Sequence, residues 1–172
     1  MRVSIHQPQY LPWFPYFQKI SASDFFIFLD TVDFQKNGLQ NRNKILTSNG
    51  PAWLTVPVKH SLGQKIIDTK TNVGSGWKKK HVKTLMMNYG KLEYFKNIHE
   101  VLFDSYDEAG DSLSDLNISL TKKFLRFMHI NTPTLRSIKW WPGALGKVSN
   151  FAIVYGQLIL DGKEYGVHSF IT

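Results

Sequence analysis

The sequence contains no cysteine, which excludes a disulfide framework, a thiolate zinc site and a cysteine nucleophile and gives no sign of an oxidising compartment. No window reaches the ~18 continuous apolar residues that a membrane span needs. The opening Met1-Arg2-Val3-Ser4-Ile5-His6 lacks a signal peptide's apolar region, so the cytoplasm is the expected location. Gly-x-Ser-x-Gly and His-Glu-x-x-His are both missing, and no pair among the six histidines has a close helical metal-ligand spacing. Gly143-Ala144-Leu145-Gly146-Lys147-Val148 is too short for a phosphate loop and has Val148 where Ser or Thr is required.

Acidic residues are scarce in one half only. Residues 1–92 hold 13 basic and 4 acidic side chains, whereas 93–172 hold 8 and 9. The basic half also carries the polar and aromatic motifs, which suggests a surface for something anionic; solubility alone is the competing reading. The chain's 172 residues fit one domain, and 42% apolar with 14% aromatic content supplies a core.

Residues 2–6 read as a short strand, and Phe25-Phe26-Ile27-Phe28-Leu29 shows no polar alternation, as in a strand covered on both faces. Between them Trp13, Phe14, Phe17 and Ile20 recur at helical spacing, with Pro15 tolerable in a first turn. Strand, helix and strand within some 30 residues predict a βαβ unit with two parallel, central strands. Trp53 to Lys59 and Lys65 to Val73 read as a hairpin or neighbouring strands. Three amphipathic helices follow: one from Trp77 to a break at Gly90, one through Tyr94 to Leu102, and one from an Asp111 or Ser112 cap to Met128. Farther on, Trp140-Trp141-Pro142-Gly143 and Asp161-Gly162 signal turns, and Phe151 to Leu160 suits a strand or a buried helix. The fold class is α/β: a small three-layer, mostly parallel sheet beginning with the βαβ unit, with helices in the C-terminal half.

The densest chemical signal is His6-Gln7-Pro8-Gln9-Tyr10-Leu11-Pro12-Trp13. It sets an imidazole, an amide and a phenol at the carboxyl end of the first strand, where ligands bind in open α/β sheets. His6 is a candidate acid, base or phosphate donor, against a rigid loop with a satisfied histidine. Asp30 and Asp33 follow the second strand and could hold a divalent metal, orient the imidazole or receive an amine, or simply form a turn and cap. Asn41-Arg42-Asn43-Lys44 suits phosphate or carboxylate, with Arg42 the fork and Lys44 a point charge, unless it is a plain surface loop. Trp77-Lys78-Lys79-Lys80-His81 opens a helix with three lysines, each opposing the dipole by ~0.3–1 kcal/mol unless an anion compensates.

At H-Q-P-Q-Y-L-P-W, then Tyr16-Phe17, Ala22-Ser23-Asp24, Leu29-Asp30, Val32-Asp33-Phe34-Gln35, Asn41-Arg42-Asn43-Lys44-Ile45, W-L-T-V-P-V and Trp77 with Lys80-His81, the chain resembles the WbqC-like family of bacterial proteins over about residues 1–130. The matching positions are His6, Gln7, Tyr10, Trp13, Asp30, Asp33, Gln35, Asn41, Arg42, Asn43, Trp77 and His81. The resemblance implies a protein of surface-polysaccharide (O-antigen) gene clusters, labelled a glycine or aminoacyl transferase. After about Leu135 the chain departs from the family pattern, so 1–172 reads as one WbqC-like domain with 136–172 divergent or truncated.

These readings make His6, Asp30 and Asp33 the catalytic candidates. Gln7, Tyr10, Trp13, Gln35, Asn41, Arg42, Asn43, Lys44, Trp77, Lys80 and His81 are the substrate-binding candidates, and no dedicated metal set is expected. A nucleotide or a divalent metal is an open cofactor, and the expected partner is a small molecule such as a nucleotide- or lipid-linked sugar. The alternatives are a non-catalytic module for phosphate ligands or nucleic acid, or a degenerate paralogue. Nucleic acid is disfavoured because aromatics are not interleaved with the basic residues.

Overall fold

The computed structural model describes residues 2–137 and two further strands, 157–160 and 163–166. Strand β1 (Val3–His6), helix α1 (Phe14–Ser21) and strand β2 (Phe25–Phe28) form the expected unit, and β1 lies parallel to β2. Pro15 occupies the first turn of α1, where its missing N–H costs no helical hydrogen bond. A third parallel strand, β7 (Thr134–Arg136), closes on the other side of β2, so β2 is the central strand of the three. The shared register aligns His6, Phe28 and Arg136 in one row across the sheet.

Between these strands the chain adds β3 (Arg42–Thr47), β4 (Gly50–Thr55), β5 (Val58–Lys59), β6 (Lys70–Thr71), α2 (Trp77–Tyr89), α3 (Phe95–Glu108) and α4 (Leu113–Phe127). The Arg42 segment is a strand rather than a loop, paired antiparallel with β4 from Arg42↔Thr55 to Thr47↔Gly50. Gly50 takes a φ of +97° at the turn, a conformation open to glycine at little cost. The run from Trp53 to Lys59 is broken in two: Val56 donates its N–H to Asn41 O instead, and Pro57 has none to give. Val58–Lys59 pairs antiparallel with Lys70–Thr71, and the Pro57 carbonyl accepts the Asn72 N–H at 2.8 Å. The two strands after the helical half, β8 (Gln157–Leu160) and β9 (Lys163–Gly166), form an antiparallel hairpin. The Trp140-Trp141-Pro142-Gly143 and Asp161-Gly162 turns lie outside the described residues.

Helix α4 organises the interior. The Ser112 hydroxyl caps it by accepting the Asp115 N–H at 3.2 Å. Ile118 and Leu125 pack with Tyr16, Phe17 and Ile20 of α1 against Phe26 and Phe28 of the sheet. Leu113, Leu116 and Leu120 face a second core built with Tyr10, Leu54, Trp77, Leu85, Leu102 and Tyr106. A helix buried on two sides holds the parallel sheet and the helical hairpin α2–α3 in one frame.

Candidate functional site

His6 ends β1 half-buried, its Nδ1 3.0 Å from the Gln7 carbonyl oxygen. A carbonyl oxygen only accepts, so this contact places the proton on Nδ1 and leaves the lone pair on Nε2. No residue among those described hydrogen-bonds Nε2. The ring stands edge-on to Tyr16 at 5.1 Å, and the Tyr16 hydroxyl donates to the same Gln7 carbonyl at 3.1 Å. Burial lowers the His6 pKa, partly offset by the bond to Gln7 O and reinforced by the charge of Lys19. The imidazole is therefore neutral at pH 7, with a basic nitrogen to spare.

The loop after His6 is fixed from several sides. Gln7 Oε1 accepts from Gln40 Nε2 at 2.6 Å, and Gln40 Oε1 accepts the Gln35 N–H at 3.0 Å. Asn117 Nδ2 donates to Pro8 O and Gln40 O, Asn43 Nδ2 donates to Leu11 O at 2.5 Å, and Tyr10 N donates to Leu39 O at 3.0 Å. Leu11 itself sits at a φ of +45°, a strained conformation for a branched residue. Gln7 and Asn43 thus serve as braces, Gln35 contributes its backbone, and Asn41 spans to Val56 O at 2.9 Å.

Tyr10, Trp77 and His81 come together, but in the interior. Tyr10 is fully buried, its hydroxyl 2.8 Å from His81 Nδ1 and 2.5 Å from the Tyr106 hydroxyl. His81 Nε2 lies 3.0 Å from Thr55 O and must donate to it. Nδ1 is then an acceptor, Tyr10 O–H donates to it, and Tyr106 O–H donates to Tyr10: each proton in the chain has one consistent place. Burial, opposed by the Thr55 bond, lowers the His81 pKa to about 4. Burial raises both phenols, Tyr10 further through Tyr106 beside it. Trp77 meets Tyr10, His81 and Tyr106 edge-on at 6.4, 5.0 and 5.1 Å.

The two carboxylates separate. Asp30 is wholly buried and meets Arg136 Nη2 at 2.6 Å and Nε at 3.0 Å, with Ser114 and Ser137 hydroxyls donating at 2.6 and 3.2 Å. Arg136 also reaches Asp115 at 2.6 Å. Burial alone would lower its pKa, but Asp30 and then Asp115 raise it. Asp33 is exposed and 3.5 Å from Lys65. Among the described residues no three His, Cys, Asp or Glu side chains gather to hold a metal ion. Arg42 stacks over Trp53 at 4.1 Å, with Lys44 over the same ring at 5.2 Å. Trp13 and Lys80 are exposed.

Sequence reasoning missed Arg136, Ser114, Tyr106, Trp53, Gln40 and Asn117. Arg136 carried a usable signal, since it follows Thr134-Leu135 at the end of a third strand, the same position His6 holds in the first. The others are ordinary helix, strand and loop residues whose roles depend on partners far along the chain.

Residues 7–154 match the WbqC-like protein family. The chain belongs to that family. A relative of this WbqC-like chain, the uncharacterized protein Rv1507c of Mycobacterium tuberculosis, is 37% identical over 134 residues, which are 76% of this chain and 58% of that protein. The chain therefore spans well under two thirds of that relative's length. Peroxisomal acyl-coenzyme A oxidase 1 of Cavia porcellus and of Homo sapiens match over 43 residues at 69% and 67% identity, 25% of this chain but 6% of each oxidase. No solved structure matches. Among the described residues of this WbqC-like chain, no helix is long and apolar enough to cross a membrane.

Proposed function

We propose that this WbqC-like protein transfers an acyl group, aminoacyl or glycyl, to the amino group of an amino sugar during surface-polysaccharide assembly. The observation that carries it is His6: a neutral, half-buried imidazole at the carboxyl end of a parallel strand, with Nδ1 committed to a carbonyl and Nε2 unoccupied by protein. Such a nitrogen takes the proton from an amine as the amine attacks an acyl carbon and the donor's leaving group departs. The donor is an activated carboxylate, with a nucleotide-linked form as the working candidate. Arg136, in the same register row as His6, is already paired with Asp30 and Asp115 and serves to fix that edge of the sheet. Asp30 acts by holding Arg136 rather than by contacting substrate.

A phosphate-binding module without chemistry would rest on the three lysines that open α2, but Lys78 is occupied by the Tyr106 and Gly110 carbonyls. The oxidase match covers 6% of each oxidase, too small a share to support an oxidase reading of this chain. The test is to delete the gene and restore it as wild type or His6→Gln, then weigh the polysaccharide repeat unit. Loss of the transferred group with His6→Gln is expected; an unchanged repeat mass in the deletion itself overturns the reading.

A further inference from the structure

A cavity of about 710 Å³ lies between α2 and α3, outside the His6 region, and nothing in the proposed transfer uses it. Its size falls within the ~300–1,000 Å³ of small-molecule sites. Val82, Met86, Met87 and Phe103 make its surface, and Lys78, Lys79, Lys83 and Asp107 line it beside them. Met86, Met87 and Phe103 are 51%, 76% and 43% exposed, a cluster of large apolar side chains that a soluble surface rarely leaves uncovered.

The charges are not spread evenly along this groove. Lys78 Nζ contacts the Tyr106 and Gly110 carbonyls, so the N-terminal end of α2 lies beside the C-terminal end of α3. Lys79 and Lys83 stand one turn apart on α2, and Met86 and Met87 come one turn later, so one stripe of the helix is cationic at its start and apolar at its end. From Lys79 to Met87 the stripe runs about 12 Å. Neither Lys79 nor Lys83 has an ion pair among the described residues, and the positive end of the α2 dipole adds to theirs. Three cations against the single carboxylate of Asp107 at one end, and methionines able to reshape around a chain at the other, match a molecule with an anionic head and an apolar tail.

We propose that the α2–α3 groove binds the monomer of a phosphate-headed lipid, a single alkyl or prenyl chain lying against Met86, Met87 and Phe103 with its phosphate at Lys79 and Lys83. The site stands independently of the transfer chemistry and is tested by binding alone. It also supplies the local anion that a lysine-rich helix start otherwise lacks.

Hexyl, octyl and decyl phosphate, each below its micelle concentration, are titrated into the full chain by calorimetry. Affinity should rise about fourfold per added methylene until the groove is filled. Inorganic phosphate alone should show no saturable binding. Lys79→Gln with Lys83→Gln should weaken decyl phosphate about five- to tenfold and abolish its advantage over decyltrimethylammonium. Met86→Ser with Phe103→Ser, both at exposed positions and checked for unchanged circular dichroism, should remove the chain-length dependence. Absence of saturable decyl phosphate binding, or binding indifferent to both double variants, overturns the proposal. So does a dimer in sedimentation that Met86→Ser with Phe103→Ser dissolves, since the groove is then covered by a second copy.

Discussion

His6 and His81 are the same residue type in opposite circumstances. At the sheet edge, His6 spends one nitrogen on a neighbouring carbonyl and keeps the other. Beneath the loop, His81 spends both, one on Thr55 and one on Tyr10, and is 6% exposed. Both rings are held neutral by burial. What sets the proposed chemical group apart from a packing group is the count of unused polar atoms, not residue identity or pKa direction. Asp30 falls on the same side of that divide as His81: buried, with its oxygens taken by Arg136, Ser114 and Ser137.

The comparison breaks most visibly at Asp30. Asp30→Ala removes the buried partner of Arg136 and of the Ser114 and Ser137 hydroxyls, leaving the guanidinium only Asp115, and is expected to cost about 3 kcal/mol in urea unfolding. Adding Arg136→Met to it should cost little more, because the pair acts as a unit. Equal and additive losses would show that Arg136 is held by Asp115 instead.

His81 gives the next effect. Its folded pKa of about 4 lies below its ordinary 6.5, so between these values the unfolded chain binds more protons and stability rises with pH. That contribution is complete above pH 6.5 and fades as pH falls toward 4, by about 3 kcal/mol. His6 adds in the same direction. Unfolding free energies for wild type and His81→Leu from pH 7 to 4 should show a distinctly flatter slope in the variant; identical slopes would place His81 in contact with water.

The smallest stability change belongs to His6. His6→Gln should alter unfolding by about 1 kcal/mol or less, while removing the transfer that the polysaccharide mass reads. A loss comparable to that of Asp30→Ala would move His6 to the structural side.

Much of the fold was legible in the residues themselves. Unbroken apolar Phe25 to Leu29 marked a covered strand, because burial patterns repeat with the period of each element, and Phe17 and Ile20 marked the buried face of the helix before it, although Trp13 and Phe14 of the same spacing are exposed. The helices after Trp77 and their break near Gly90 were visible for the same reason. The strand at Arg42 was not, since β3 alternates weakly and owes its form to β4 across the hairpin. Within the candidate site, the His6 to Trp13 segment stood out by its mix of imidazole, amide and aromatics beside two prolines, whereas the Gln40 and Asn117 side chains that brace it did not.

The chain's own order of residues determined which segments form strands and helices, and that polar chemistry collects where β1 and β2 end. Tertiary structure alone decided which of those groups stay available. Tyr10 meets His81 across 71 positions and Asp30 meets Arg136 across 106. Periodicity records only which face of an element is covered, whereas a hydrogen bond needs a partner within about 3 Å. That partner is supplied by a distant segment, and only after α4 has packed the two cores together.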